Sequence, residues 1–303
     1  MFKSIAEGSS KHTVRRASEP SEWTPPIFVV TFVVAVFTLA MISYRTSYMN
    51  ERFKGQQNAL LEVRQQAESI WENRLANDQA EAETIEQEYV DPESIKASML
   101  FDMSDLYDLN SDTIGWLMID DTVIDYPVMQ TPMDEEFYLD RDFQKNYSPY
   151  GSLIMDTDSV VGSGTKAYEY QNGTKPSTNL IIHGHNMKNG TMFGGLDKYR
   201  DAAYEKEHNI IKFKSLYEER EYEIVSVFLS QVFLKTQTNV FKYYQFFEAD
   251  SKRDFNNFYK NIKEMALYDT GVTAEFGDEF ITLSVCAYHV ENGRLVVVAK
   301  RIK

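Results

Sequence analysis

The sequence predicts a mostly β fold with flanking helices: a small closed barrel preceded by a transmembrane helix and a helical stalk. Three observations carry this. One apolar stretch lies near the N-terminus, a segment rich in Ala, Glu, Gln, Leu and Arg follows it, and from Ile114 onward short β-type runs alternate with turn-rich segments. The 303 residues, 43% of them hydrophobic, suffice for one domain of ~150–200 residues with its own core, plus appended segments. The expected division is 1–22 as a cytoplasmic tail, 23–44 as the anchor, 45–99 as stalk and N-terminal helices, and 100–303 as the barrel domain.

Each element has its own warrant. Met1–Glu22 is polar and mixed in charge, the composition of a disordered tail. From Trp23 to Tyr44 the only ionisable side chain is the tyrosine, and with its flanks Ile27–Ile42 reaches the ~20 residues that a bilayer requires. Trp23 and Tyr44 suit the two interfaces. No small-x-small cleavage site follows, so an uncleaved single-pass anchor is expected rather than a signal peptide. Lys and Arg flank the segment on both sides, so the charge bias only slightly favours an N-terminus inside. Thr46–Met99 reads as helix, with Leu60, Leu61, Val63, Ala67, Ile70, Trp71 and Leu75 at roughly helical spacing: a stalk plus a helix packed on the domain. Asp91 and Pro92 look like an N-cap and a first helical residue.

Strands are expected at Ile114–Ile119, Thr122–Val128, Gly151–Met155, Leu180–His183, Tyr222–Ser230, Phe280–Val285 and Leu295–Ala299. One amphipathic helix, Ser251–Tyr268, interrupts them, with Phe255, Phe258, Tyr259, Ile262 and Met265 on one stripe. Many short strands with few helices suggest a small closed barrel.

Net charge is −15, which argues against nucleic acid as a partner, because phosphate binding needs clustered Lys and Arg. The single cysteine, Cys286, excludes an internal disulfide and any cysteine-based zinc site. Asp156 and Asp158, in a polar loop, lack EF-hand spacing and are expected to be solvated. By count alone the thiol is either an inert buried group or a reactive one.

Cys286 ends the alternating run Ile281–Cys286, with Thr282, Ser284 and Cys286 on one face and Ile281, Leu283 and Val285 on the other. After Glu291-Asn292-Gly293 a second β-branched run begins at Arg294. Were Asn292-Gly293 a tight turn, Arg294 would face Glu291, and Cys286 would lie ~16 Å away at ~3.3 Å per residue. A catalytic pair therefore needs a wide loop over roughly Ala287–Gly293. A thiol must also be deprotonated to attack, which calls for an imidazole or another cation beside it. Of the five histidines, His12 lies in the tail and His208 in a charged helix, both expected at the surface. His183, His185 and His289 remain open by position. His185 comes first, because an apolar strand ends at Gly184, where the backbone can turn.

Ile181–Met187 with Gly190–Phe193 and Leu196-Asp197 resembles the Gly-His-Asn-Met…Met-Phe segment of class B sortases. Thr282–Cys286 resembles the sortase Thr-Leu-x-Thr-Cys signature, and Gly293–Val297 the segment carrying the sortase arginine. With Gly115-Trp116, Tyr126–Val128, Gly151-Ser152 and the helix before the cysteine strand, the similarity covers roughly Asp112–Lys303. Two departures stand out. Val285 replaces the threonine before the cysteine, and Glu135 stands where class B members often carry asparagine, so altered substrate contacts are expected.

The resemblance implies a membrane-anchored cysteine transpeptidase with its catalytic domain outside the cell, needing no cofactor or metal. Cys286 would attack the sorting signal of a secreted protein, His185 would transfer protons, and Arg294 would stabilise the oxyanion or hold the substrate backbone. Ser284, Thr282 and Leu139 would contact substrate. The acceptor would be an amine of peptidoglycan or its precursor, or of a pilin subunit. Competing readings are a cysteine hydrolase, an L,D-transpeptidase, whose Ser-x-Gly-Cys type of motif Ser284-Val285-Cys286 lacks, and an anchored binding module with an inert thiol.

Overall fold

The computed structural model describes residues 25–82 and 99–303. The tail, Trp23, Asp91 and Pro92 lie outside the described residues. The chain divides into two units, Met1–Arg52 and Phe53–Lys303. Within the first, helix α1 (Pro25–Ala82, running on into the second unit) exposes Val29, Phe32, Phe37, Leu39 and Ile42. It is the one helix among the described residues long and apolar enough to cross a membrane.

The second unit is a closed eight-stranded barrel. Its strands are β1 (Thr113–Met118), β2 (Asp125–Met129), β3 (Leu153–Met155), β4 (Asn179–Gly184), β5 (Ile210–Ser215), β6 (Glu219–Gln231), β7 (Phe280–Cys286) and β8 (Gly293–Arg301). They close in the order β1-β2-β3-β4-β7-β8-β6-β5. The β2–β3 and β4–β7 pairs are parallel and the other six antiparallel. Helices α2 (Phe101–Leu109), α3 (Ala202–Glu207) and α4 (Lys252–Glu264) flank it.

Local chemistry moves several expected boundaries. β2 begins at Asp125 rather than Thr122, because the Thr122 hydroxyl donates to the Ile119 carbonyl and accepts from the Ile124 amide, closing a turn. β3 begins two residues after Gly151, whose φ of +57° belongs to the left-handed region and not to a strand. Ser251 is the N-cap of α4, accepting from the Asp254 amide, and that helix stops at Glu264. Two elements lie outside the expected set. In β5, Ile211, Phe213 and Ser215 are buried while Lys212 and Lys214 face outward, and α2 buries Met103 and Leu106.

Packing explains why the barrel closes here. Phe255, Phe258 and Ile262 of α4 bury against Phe280, Val296 and Val298, on the outer face of β7 and β8. The Phe53–Arg64 part of α1 packs on the barrel: Phe53 stacks on Tyr150, Leu60 is buried with Trp116 and Met129, and Gln56 Nε2 donates to Asp142. Arg64 pairs with Asp125 at 2.9 Å and lies over the Trp116 ring.

Candidate active site

Strand register brings three sequence-distant residues to one end of the barrel. Cys286 is the directly opposed partner of Arg294 across the antiparallel β7–β8 pair, at the end of the series from Phe280↔Lys300. The connection is the wide loop that the catalytic arrangement requires. The Ala287 amide donates to the Gly293 carbonyl, the Gly293 amide donates to the Val290 carbonyl, and Asn292 takes a φ of +53°. On the other side, the parallel β4–β7 ladder ends at Gly184↔Val285. His185 and Cys286 each follow that last pair by one residue. Beyond it a side chain takes over, Asn186 Nδ2 donating to the Cys286 carbonyl at 2.8 Å.

Cys286 is a half-buried free thiol, at the edge of the outer face that α4 covers lower down. His185 Nε2 lies 2.6 Å from the Leu139 carbonyl. A carbonyl can only accept, so Nε2 carries the hydrogen, and in the neutral ring Nδ1 is the basic nitrogen. The Arg294 guanidinium folds onto its own loop, Nη1 donating to the Gly293 carbonyl at 3.0 Å and to the Asn292 carbonyl at 3.3 Å.

Gly184 is needed for close approach, not for a turn. A Cβ there would sit 2.6 Å from Phe193 Cδ2 and 2.7 Å from Leu153 Cδ2, so only glycine lets the strand before His185 pass between them. Gly151 supports the ring from beneath: a Cβ there would meet the Leu139 carbonyl at 2.5 Å and His185 Cδ2 at 3.0 Å.

The other expected residues fall differently. Thr282 is fully buried and donates to Asn179 Oδ1 at 2.8 Å. Ser284 is 1% exposed, with its hydroxyl 2.7 Å from the Tyr243 hydroxyl. In this conformation neither offers surface to a peptide, because the face that they share with Cys286 lies under α4 and the Tyr243 segment. Val285 is likewise buried, on the opposite face, so its replacement of threonine changes packing and not an exposed contact. Leu139 is 41% exposed beside the imidazole. His183 Nε2 lies 3.4 Å from Asp156, and His289 is exposed in the β7–β8 loop. Asp156 therefore has a partner instead of standing solvated alone. Among the described residues no group of His, Cys, Asp and Glu is gathered for a metal.

Two neighbours carry no role in the sequence reading. Asn186 stands inside the histidine motif, but its partner is a carbonyl 100 residues away, which no local pattern reveals. Tyr243 lies in an aromatic turn with no periodicity. Burial pushes its hydroxyl up to about 12, against the lowering effect of the Ser284 hydrogen bond and the Arg294 charge, so it stays protonated beside the thiol.

Residues 117–302 match the family model described as a sortase domain. The chain is 32% identical over 204 residues to sortase B of Listeria monocytogenes, covering 66% of this chain and 74% of that protein. It is 30% identical over 198 residues to sortase B of Staphylococcus aureus, covering 64% and 72%. Among solved structures, a Bacillus anthracis sortase B aligns with a TM-score of 0.56 at 30% identity, over 77% of this chain and 98% of that one. A Staphylococcus aureus sortase B–substrate complex aligns with a TM-score of 0.57 at 26% identity, over 68% and 87%. The chain belongs to the sortase family, with class B sortases as its relatives, and is a cysteine transpeptidase.

Proposed function

We propose that this transpeptidase is a single-pass membrane enzyme, facing outward, that joins sorting-signal-bearing secreted proteins to an amine of peptidoglycan or its precursor. The observation that carries the reading is the double register at Cys286, with Arg294 opposite on β8 and His185 level with it beyond β4. In this reading residues 23–44 are the anchor, and residues 100–303 together with the packed part of α1 form the catalytic body. Tethering raises the effective concentration of enzyme where substrate emerges and acceptor is built.

The chemistry then runs in two halves. The Cys286 thiolate attacks the scissile carbonyl, and the arginine fork stabilises the resulting oxyanion or holds the peptide backbone. The C–N bond breaks as the imidazolium gives a proton to the leaving amine, and a thioester remains. An acceptor amine attacks the thioester, neutral His185 takes its proton, and the new amide leaves with the thiolate restored. Leu139, 41% exposed and with its carbonyl on the imidazole, is the substrate contact in this reading.

A panel of sorting-signal peptides, with and without amines, tests the reading by mass spectrometry on residues 46–303. The wild type is expected to form a thioester adduct that amine converts to amide, and Cys286→Ala to form none. An adduct that survives Cys286→Ala would end the assignment, and acid product regardless of amine would mark a hydrolase.

A further inference from the structure

The strand row that aligns Cys286 with Arg294 has a third member. Across the antiparallel β6–β8 pair Ser230 is the directly opposed partner of Arg294. Ser230, Arg294 and Cys286 therefore stand side by side on one face of the sheet, with the arginine in the middle. Directly opposed residues hold their Cβ atoms ~4.5–5.5 Å apart, so an arginine side chain can reach either flank. One row lower, Phe228 and Ser284 flank Val296, and Tyr243 packs its ring on the one and its hydroxyl on the other.

Ser230 is 6% exposed, and its hydroxyl is buried with no hydrogen-bond partner among the described residues. A buried orphan of this kind is destabilising, and an alanine would remove it, so nothing in the packing of the free enzyme calls for a hydroxyl here. The neighbour opposite has donors to spare. Of the five guanidinium N–H groups of Arg294, only those on Nη1 are engaged, with the Gly293 and Asn292 carbonyls. Among the described residues, Nε and Nη2 have no hydrogen-bond partner. Both carbonyls also have backbone donors of their own, the Ala287 amide on Gly293 and the Val232 amide on Asn292. The guanidinium can leave them without stranding either acceptor.

We propose that Ser230 is a positioning residue for Arg294: as a peptide enters, the guanidinium swings off its own loop, Nε–H donates to the Ser230 hydroxyl, and the Nη groups are left aimed across the row at the substrate oxygen beside Cys286. This rests on the role given to Arg294 in the proposed function. The hydroxyl is unpaired in the resting enzyme and paired in the working one, so the bond is realised only when substrate is engaged. Shielded from water, it meets no competing solvent. Serine suits the task because its oxygen accepts from a cation without placing a second charge beside the thiol.

A double-mutant cycle on the full chain in detergent tests this, with wild type, Ser230→Ala, Arg294→Ala and the double variant. The rate read is kcat/KM for thioester formation on the sorting peptide that wild type acylates fastest. Ser230→Ala is expected to lower it at least about tenfold, as loss of a hydrogen bond to a charged group does, while melting no lower than wild type. In the Arg294→Ala background the same change should cost less than about twofold, because its effect passes through the arginine. In Cys286→Ala saturated with that peptide, the Arg294 Nε–H signal should become protected from solvent exchange, and adding Ser230→Ala should abolish the protection. Equal losses from Ser230→Ala in both backgrounds, or an undiminished rate in Ser230→Ala beside a crippled Arg294→Ala, overturn the proposal and leave the Arg294 assignment standing. A wild-type rate in Arg294→Ala ends that assignment and the proposal with it.

Discussion

At the scale of single residues, the proposed assignment places reactivity at the boundary between backbone and side-chain pairing. The β4–β7 ladder stops at Gly184↔Val285, and Asn186 then fixes the Cys286 carbonyl, so one amide side chain holds the height of the histidine loop against that of the thiol. Misplacing reacting groups by about 1 Å can cost on the order of 100-fold. Asn186→Ala is therefore expected to lower kcat tenfold or more with little change in KM. Asn186→Asp should fare no better, since a carboxylate cannot donate to that carbonyl. Steady-state kinetics on one peptide, with melts to confirm folding, would decide it, and a wild-type kcat in Asn186→Asp would remove the residue from the site. Residue type and motif order brought Cys286, His185 and Arg294 forward in the sequence, and strand register places them at one end of the barrel. Alternation put Thr282 and Ser284 on the thiol's face, but a period of two cannot say what covers a face, and α4 covers this one.

At the scale of elements, close approach explains what propensity alone does not. Gly184 reads as a flexible hinge in the sequence, yet it is a tight crossing beneath Phe193 and Leu153. Gly184→Ala should cost about 1–3 kcal/mol, as overpacking typically does, and should push the His185 loop outward. Chemical denaturation together with kcat would measure both, and a variant as stable and as active as wild type would refute the crossing. The hydrophobic period found α4 because a single stripe of it, Phe255, Phe258 and Ile262, is buried. β5 escaped because its two outward lysines read as a loop, although Ile211 and Phe213 fill the core. β2 and β3 begin later than expected because a hydroxyl turn and a left-handed glycine precede them, details that apolar runs do not encode.

At the scale of the whole molecule, the end of the barrel away from the thiol is closed by charge. Arg301 bonds Glu218 through both terminal nitrogens at 3.0 Å, reaches Glu279 and the Tyr170 hydroxyl at 2.9 Å, and is 2% exposed at its side chain. Arg220 joins from β6, donating to Glu218 and to the Val161 carbonyl, so the polar loop between β3 and β4 is held to β6 and β8. Removing one partner of a buried pair strands the others, so Arg301→Met is expected to cost about 3–5 kcal/mol. Its KM for peptide should be unaltered, because seven residues of β8, ~23 Å at ~3.3 Å each, separate Arg301 from Arg294. Burial alone would raise the Glu218 carboxyl; the Arg301 hydrogen bond, the Lys166 amide and the nearby guanidinium charges outweigh it and hold the group below its ordinary value of 4.5. Its folded pKa is depressed, so this stability is fully present above the ordinary value and lost as pH falls through the folded one. Melting temperature against pH should fall in that acid window and flatten in Glu218→Gln; parallel curves would contradict the assignment.

The parallel seam between β4 and β7 has a temporal consequence. Parallel neighbours cannot be joined by a hairpin, and here 100 residues separate Asn186 from Cys286. On the assignment above, a chain still emerging carries the imidazole of His185 before the sulfur of Cys286 has appeared. The enzyme is born inert, and recovery of turnover after refolding would clock the moment when this long-range junction zips shut.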